Sequence, residues 1–172
     1  ASELQKISDV SFSTPWMDLP YSPVKASISM FLGEFLFRSL RGEGENRPLF
    51  SFLYNSLRWL DEAEGNVANF HVLLMIRMTR FLGIWPGMAG YGRNMVYDMK
   101  NACFSASIPV HGQYLEPRDA MWIPLLLEMD YSRMHRLKMT RNERPPMPQL
   151  LLQYYPFHVP SPAHLQRAHL PR

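Results

Sequence analysis

The sequence predicts an all-α fold: a helical bundle around a central buried helix, with a small β-hairpin-like insertion and a short extended segment at the N-terminus. Three observations predict it. The stretch Asn69–Gly83 is apolar on nearly every side, with only Arg77, Thr79 and Arg80 clearly polar, and such a helix belongs among other helices. Two stretches ahead of it repeat apolar residues at helical spacing. Between residues 84 and 115 that periodicity fails, and prolines and glycines punctuate the chain instead.

Residues 1–22 read as an extended linker; Ile7, Val10 and Phe12 hint at a strand, and Pro15 and Pro20 break anything longer. The remainder, 23–172, reads as one helical domain. Ser22-Pro23 starts the first helix, with a hydroxyl suited to capping and a proline at the first helical position. That helix runs from about Val24 to Arg41, with Ile28, Phe31, Leu32, Phe35, Leu36 and Leu40 on one face. Gly42-Glu43-Gly44 breaks it. The second helix begins near Arg47-Pro48 and carries Leu49, Phe52, Leu53, Ser56, Leu57 and Leu60 on one stripe. Asp61 to Asn66 forms an acidic turn. The central helix follows; it is too short, and too interrupted by arginine, to cross a bilayer, and Gly83 ends it.

In the insertion at 84–115, Met95-Val96-Tyr97 and Ala102-Cys103-Phe104 flank Asp98–Asn101 at a spacing that suits a hairpin. So long a connection without a helix is often functional. A fourth helix extends from Glu116-Pro117 to about Met129, with Pro124 marking a kink or a late start. A short helix covers Tyr131–Lys138. The last begins after Thr140, with Glu143 three residues on as a capping box, and carries Leu150, Leu151, Tyr154 and Tyr155. Residues 156–172 are proline-rich and read as irregular.

The 172 residues suit one domain, and a hydrophobic content of 47% fills a core. A net charge of +3 demands no polyanionic partner by itself. The single cysteine, Cys103, excludes an internal disulfide and the usual multi-cysteine zinc sites. With one cysteine, a reducing cytoplasm is the simplest home; the start, Ala1-Ser2-Glu3-Leu4-Gln5-Lys6, shows no apolar signal core and is not Met, as in a fragment of a longer chain.

No catalytic set emerges. Gly87, Gly90 and Gly92 lack the lysine and following helix of a phosphate loop. Cys103 reads as a packed thiol more than a nucleophile, and His71 as a hydrogen-bonded core histidine more than a metal ligand. The chain therefore reads as no enzyme, without metal or cofactor. What remains is charge. Arg133, Arg136, Lys138, Arg141 and Arg144 cluster with only Asp130 and Glu143 beside them, and such a run neutralises phosphates or forms a solvated basic face. Arg77 and Arg80 sit on a mainly buried helix, so their heads find a carboxylate, with Glu34 or Asp119 the candidates, or the mouth of a pocket that holds an acidic, apolar peptide end.

Several stretches carry a resemblance. They are Ser22–Arg41, Leu49–Tyr54, Asn69–His71 with the central helix ending in Phe81-Leu82-Gly83, Met129–Arg144, and Leu150–Pro160. In order and spacing they resemble the C-terminal region of the bacterial recombination mediator RecO family, over nearly the whole chain. The resemblance implies an N-terminal oligonucleotide-binding barrel, here absent unless its last strand survives at Lys6–Ser13. It implies binding to single- and double-stranded DNA, strand annealing, and help in loading RecA. It also implies partners: RecR and the acidic C-terminal tail of single-strand-binding protein, without enzymatic turnover. The DNA-contacting candidates are then Arg133, Arg136, Lys138, Arg141 and Arg144, and the tail-peptide candidates Arg58, Leu74, Arg77 and Arg80. The alternative is a helical protein–protein interaction domain with no DNA contact of its own, which the modest net charge favours. Two departures stand out: the four-cysteine zinc knuckle of many relatives is reduced to Cys103 within Ile84–Phe104, so zinc is not expected, and the usual Leu-Lys-Ser near the end is replaced around Pro162–Leu165.

Overall fold

The computed structural model describes residues 15–41, 44–136 and 146–158. Helix α1 (Pro23–Ser39) has Pro23 at its first turn and buries Ile28, Phe31, Leu32 and Phe35. Ser22 occupies the N-cap position in extended conformation, but its hydroxyl makes no capping bond. Helix α2 (Arg47–Glu62) is capped instead by a residue the spacing did not single out: Asn46 Oδ1 accepts from the Leu49 N–H at 3.0 Å. Asp61, expected in a turn, is the penultimate residue of this helix.

Helix α3 (Phe70–Phe81) is the central element. Phe70, Val72, Leu73, Leu74, Met75 and Met78 are all 0% exposed. Each such side chain contributes about 1.5–3 kcal/mol on burial. Its end is a Schellman turn: Gly83 takes φ 71°, Ile84 N donates to Thr79 O at 2.9 Å, and Gly83 N to Arg80 O. Helix α3 packs against α1, α2, α5 (Trp122–Glu128) and α6 (Pro146–His158). Two tyrosines hang α6 on the centre: Tyr155 Oη donates to Met75 O at 2.7 Å, and Tyr154 Oη to Ile84 O at 2.9 Å. Burial pushes both phenols up, that of Tyr154 to about 12.

The chain is predominantly helical but not all-α. The expected hairpin is present as β1 (Val96–Asp98) and β2 (Cys103–Ser105), with Asp98 opposite Cys103 and Val96 opposite Ser105. A third strand, β3 (Tyr114–Leu115), pairs with the other edge of β1 and completes an antiparallel sheet in the order β2-β1-β3. Asp98 closes the hairpin loop, its carboxylate accepting from the backbone of Lys100 and Asn101 at 2.9 Å each and from Asn101 Nδ2 at 2.7 Å. His111 Nε2 lies 3.2 Å from the same carboxylate. Residues 86–90 run along the outer edge of β2: Gly87 N donates to Ala102 O at 3.0 Å and Phe104 N to Ala89 O at 2.8 Å.

Other expectations change in detail. The fourth helix is divided: α4 (Pro117–Ala120) gives way at Met121 to α5, so Pro124 sits in the first turn of the second piece, where a missing N–H costs little. Of the short helix at Tyr131–Lys138, the described part contains a 3-10 turn, Met134–Arg136. Helix α6 continues through Pro156 to His158, past the point where irregular chain was expected. The hinted strand at 6–13, the Thr140–Glu143 capping box and residues 159–172 lie outside the described residues.

Candidate nucleic-acid interface

The described start of the basic segment is planted on the core. Tyr131 stacks with Phe70 at 4.8 Å and with Trp59 at 5.2 Å, and its hydroxyl donates to Ser56 Oγ at 3.0 Å. Burial raises the Tyr131 phenol to about 12. One residue pair earlier, Arg77 Nη2 donates to Met129 O, just past the end of α5. Neither Glu34 nor Asp119 is the carboxylate of Arg77 or Arg80: Glu34 pairs with Arg38 one turn on, and Arg77 finds a backbone carbonyl. Arg77 thus fixes the place where the chain leaves α5 and the basic run begins.

The five basic candidates are not equivalent. Arg133 Nε bonds Asp130 at 2.7 Å, and Asp130 also accepts from Ser132 Oγ at 2.7 Å and from Arg133 N at 2.8 Å. The Ser132 hydroxyl first, then the Arg133 amide and guanidinium, hold the Asp130 carboxyl at about 2. Arg133 therefore carries a local counter-charge. Arg136, at the end of the 3-10 turn, is exposed and has no carboxylate among the described residues. Lys138, Arg141 and Arg144 lie outside the described residues.

The four peptide-site candidates differ in exposure and in what holds them. Leu74 is 0% exposed and offers no contact to a partner; it faces the core. Arg58 is engaged within the chain: it bonds Glu62 at 3.1 Å and Pro15 O at 3.2 Å, and lies 5.6 Å from the Trp16 ring. Arg80 is exposed at the end of α3, its guanidinium 5.9 Å from the Trp85 ring centroid.

Sequence reasoning missed the knot at Asp61. This buried carboxylate accepts from the backbone N–H groups of Met17, Asp18 and Leu19 at 2.7–3.1 Å, with Arg58 Nη1 3.6 Å away. Burial raises its pKa, but the three backbone donors and Arg58 outweigh that and hold it below the usual carboxylate range. Buried Lys25 completes the knot, reaching Asp61 O at 2.8 Å and Asp18 at 2.7 Å. Only the burial of an acid at the end of an amphipathic stripe could have flagged it, and backbone donors leave no mark in sequence.

Cys103 is half-buried on β2 and His71 is buried edge-on to Phe31 at 5.5 Å. Among the described residues no three of His, Cys, Asp and Glu are grouped to hold a metal ion. None of their helices is long and apolar enough to cross a membrane.

The family described as "Recombination protein O C terminal" matches residues 20–167. The chain belongs to this RecO family. It is similar to the DNA repair protein RecO of Phocaeicola vulgatus, 44% identical over 160 residues, which are 93% of this chain and 66% of the relative. The DNA repair protein RecO of Bacteroides fragilis is 38% identical over 161 residues, again 93% and 66% of the two chains. That of Flavobacterium psychrophilum is 27% identical over 157 residues, 91% and 64%. The chain thus spans just under two thirds of the length of these RecO relatives. No solved structure matches it.

Proposed function

We propose that this chain is the helical part of a cytoplasmic DNA repair and recombination mediator: a non-enzymatic scaffold, built around α3, that docks partner proteins and adds a basic surface for DNA. The observation that carries this reading is the RecO-family match over residues 20–167. The relatives' printed role in DNA repair is extended here to this chain. Its partners are RecR, the acidic C-terminal tail of single-strand-binding protein, and single- and double-stranded DNA, with RecA served indirectly and strand annealing promoted. The described start of the basic run, Arg136, is held out by the Tyr131 stack and the Arg77 bond; in sequence Lys138, Arg141 and Arg144 follow it and are the further DNA-contact candidates. Arg80, exposed beside Trp85, is the peptide-site candidate with an uncommitted charge.

Anisotropy titration of a labelled oligonucleotide tests the DNA part. Arg136→Ala with Arg141→Ala should weaken binding and lower the salt slope by about 0.7–0.9 per lost phosphate contact. Unchanged affinity and slope would remove this segment from the interface. The second reading, an interaction domain without DNA contact, has one observation in its favour: Arg133 is already matched by Asp130. It predicts that the wild-type chain binds no DNA while still binding an acidic Asp-Phe-ending peptide.

A further inference from the structure

From Gly65 to Leu115 the chain carries one carboxylate, Asp98, against Arg77, Arg80, Arg93 and Lys100. That carboxylate is buried and occupied by the hairpin backbone, Asn101 and His111. Arg80, Arg93 and Lys100 are exposed, and none is paired with a carboxylate among the described residues. The same region displays large apolar side chains: Trp85 is 37% exposed, Met88 38% and Tyr91 56%. Exposed rings set among unpaired cations form a surface that attracts polyanions and offers flat faces to stack on.

The backbone holds these rings in place. Residues 86–90 are bonded to the edge of β2, with the approach so close that a Cβ at Gly87 would stand 2.4 Å from Ala102 O, and one at Gly90 2.4 Å from Phe104 O. Gly90 also has φ 75°. Tyr91 follows at once and leans edge-on against Phe104 at 5.1 Å, which sets its ring without covering it. Trp85 precedes the segment and meets the Arg80 guanidinium. The acid-bearing β3 end, Tyr114 with Glu116, belongs to the opposite edge of the sheet.

We infer that Trp85 and Tyr91, with Arg80 and Arg93, form a stacking platform for unpaired nucleic acid, made of residues other than those of the 133–144 basic run. Bases stack on the two rings, and the arginines neutralise neighbouring phosphates. A duplex hides its base faces and gains only the charge contacts, so the platform favours single strands. The inference rests on the DNA-binding part of the proposed function but assigns it to other residues.

The test uses the full chain, a fluorescein-labelled oligothymidylate and a duplex of the same length, read by anisotropy at several salt concentrations. Trp85→Ala with Tyr91→Ala should lose about tenfold or more in single-strand affinity per the worth of a stacked base, with duplex affinity unchanged. Trp85→Phe keeps a ring and should retain most of the binding. Arg80→Ala with Arg93→Ala should reduce the single-strand salt slope by about 1.4, two phosphates at about 0.7 each. Circular dichroism and urea midpoints show which variants remain folded, and Arg93→Glu, a change at an exposed position, serves if a ring variant does not. Single-strand affinity unchanged in the folded ring variants, or an equal loss for duplex, would overturn the platform. Arg136→Ala with Arg141→Ala separates the two assignments: if it alone abolishes binding, the basic segment stands and the platform falls. A wild type that binds no DNA sinks both.

Discussion

Asp61 is a buried carboxylate that joins two distant parts of the chain. Its carboxylate ties residues 17–19 to the end of α2, and Lys25 locks the same corner through the Asp61 carbonyl. Asp61→Asn keeps the shape but removes the charge that three N–H donors face, and should cost about 1–3 kcal/mol in urea unfolding. Because the folded pKa lies below the unfolded value, the contribution is full above about pH 4 and fades as pH falls through the folded pKa. The variant should therefore lose less stability than wild type as the pH falls below about 4. An equal acid limb in both proteins would show that the knot carries no such charge. Arg77 teaches the complementary lesson. A buried-helix arginine invited a search for a carboxylate, yet its partner is the carbonyl of Met129, a group every residue possesses and no pattern reveals. Arg77→Ala should destabilise the chain by about 1.5–3 kcal/mol, as loss of a charged hydrogen bond does, and measured unfolding checks it.

At the scale of the elements, α3 was legible because apolar residues on most faces leave a helix nowhere to go but inside, and its glycine stop is realised as a Schellman turn. Leu74→Ala should cost about 2–5 kcal/mol by leaving a cavity at a fully buried position; a loss under about 1 kcal/mol would mean that the centre is loosely packed. The hairpin was legible from two short apolar runs about a polar loop. Its third strand was not: two residues give no periodicity, and Tyr114–Leu115 is placed by pairing across β1, a non-local event. The break at Met121 escaped for a similar reason, since Pro124 marked the irregularity but not its position. Gly90→Ala should destabilise by more than about 1 kcal/mol, combining a positive φ with a 2.4 Å approach to Phe104 O, and chemical denaturation reads it directly. Tolerance at that position would show that residues 86–90 are not held against β2.

Across the whole molecule, kinship and physics meet at one point. The core helix packs against four others, and among the described residues several cations without a carboxylate partner stand where the chain leaves that core, among them Arg80 where α3 ends, Arg93 in the loop and Arg136 after α5. The candidate site was legible as composition, a basic run and two arginines on an apolar helix, but not as geometry. Leu74 proved to be core, Arg58 and Arg77 are spent on the chain itself, and the exposed rings of Trp85 and Tyr91 escaped notice because single aromatics in a glycine-rich loop have no period. The central claim is that a protein containing this chain serves DNA repair. Survival after ultraviolet or cross-linking damage, measured in the source organism with the gene intact, deleted and restored, tests it most directly. The account predicts that the deletion strain dies at doses the parent withstands and that the restored gene rescues it. Equal survival of deletion strain and parent across the dose range would contradict it.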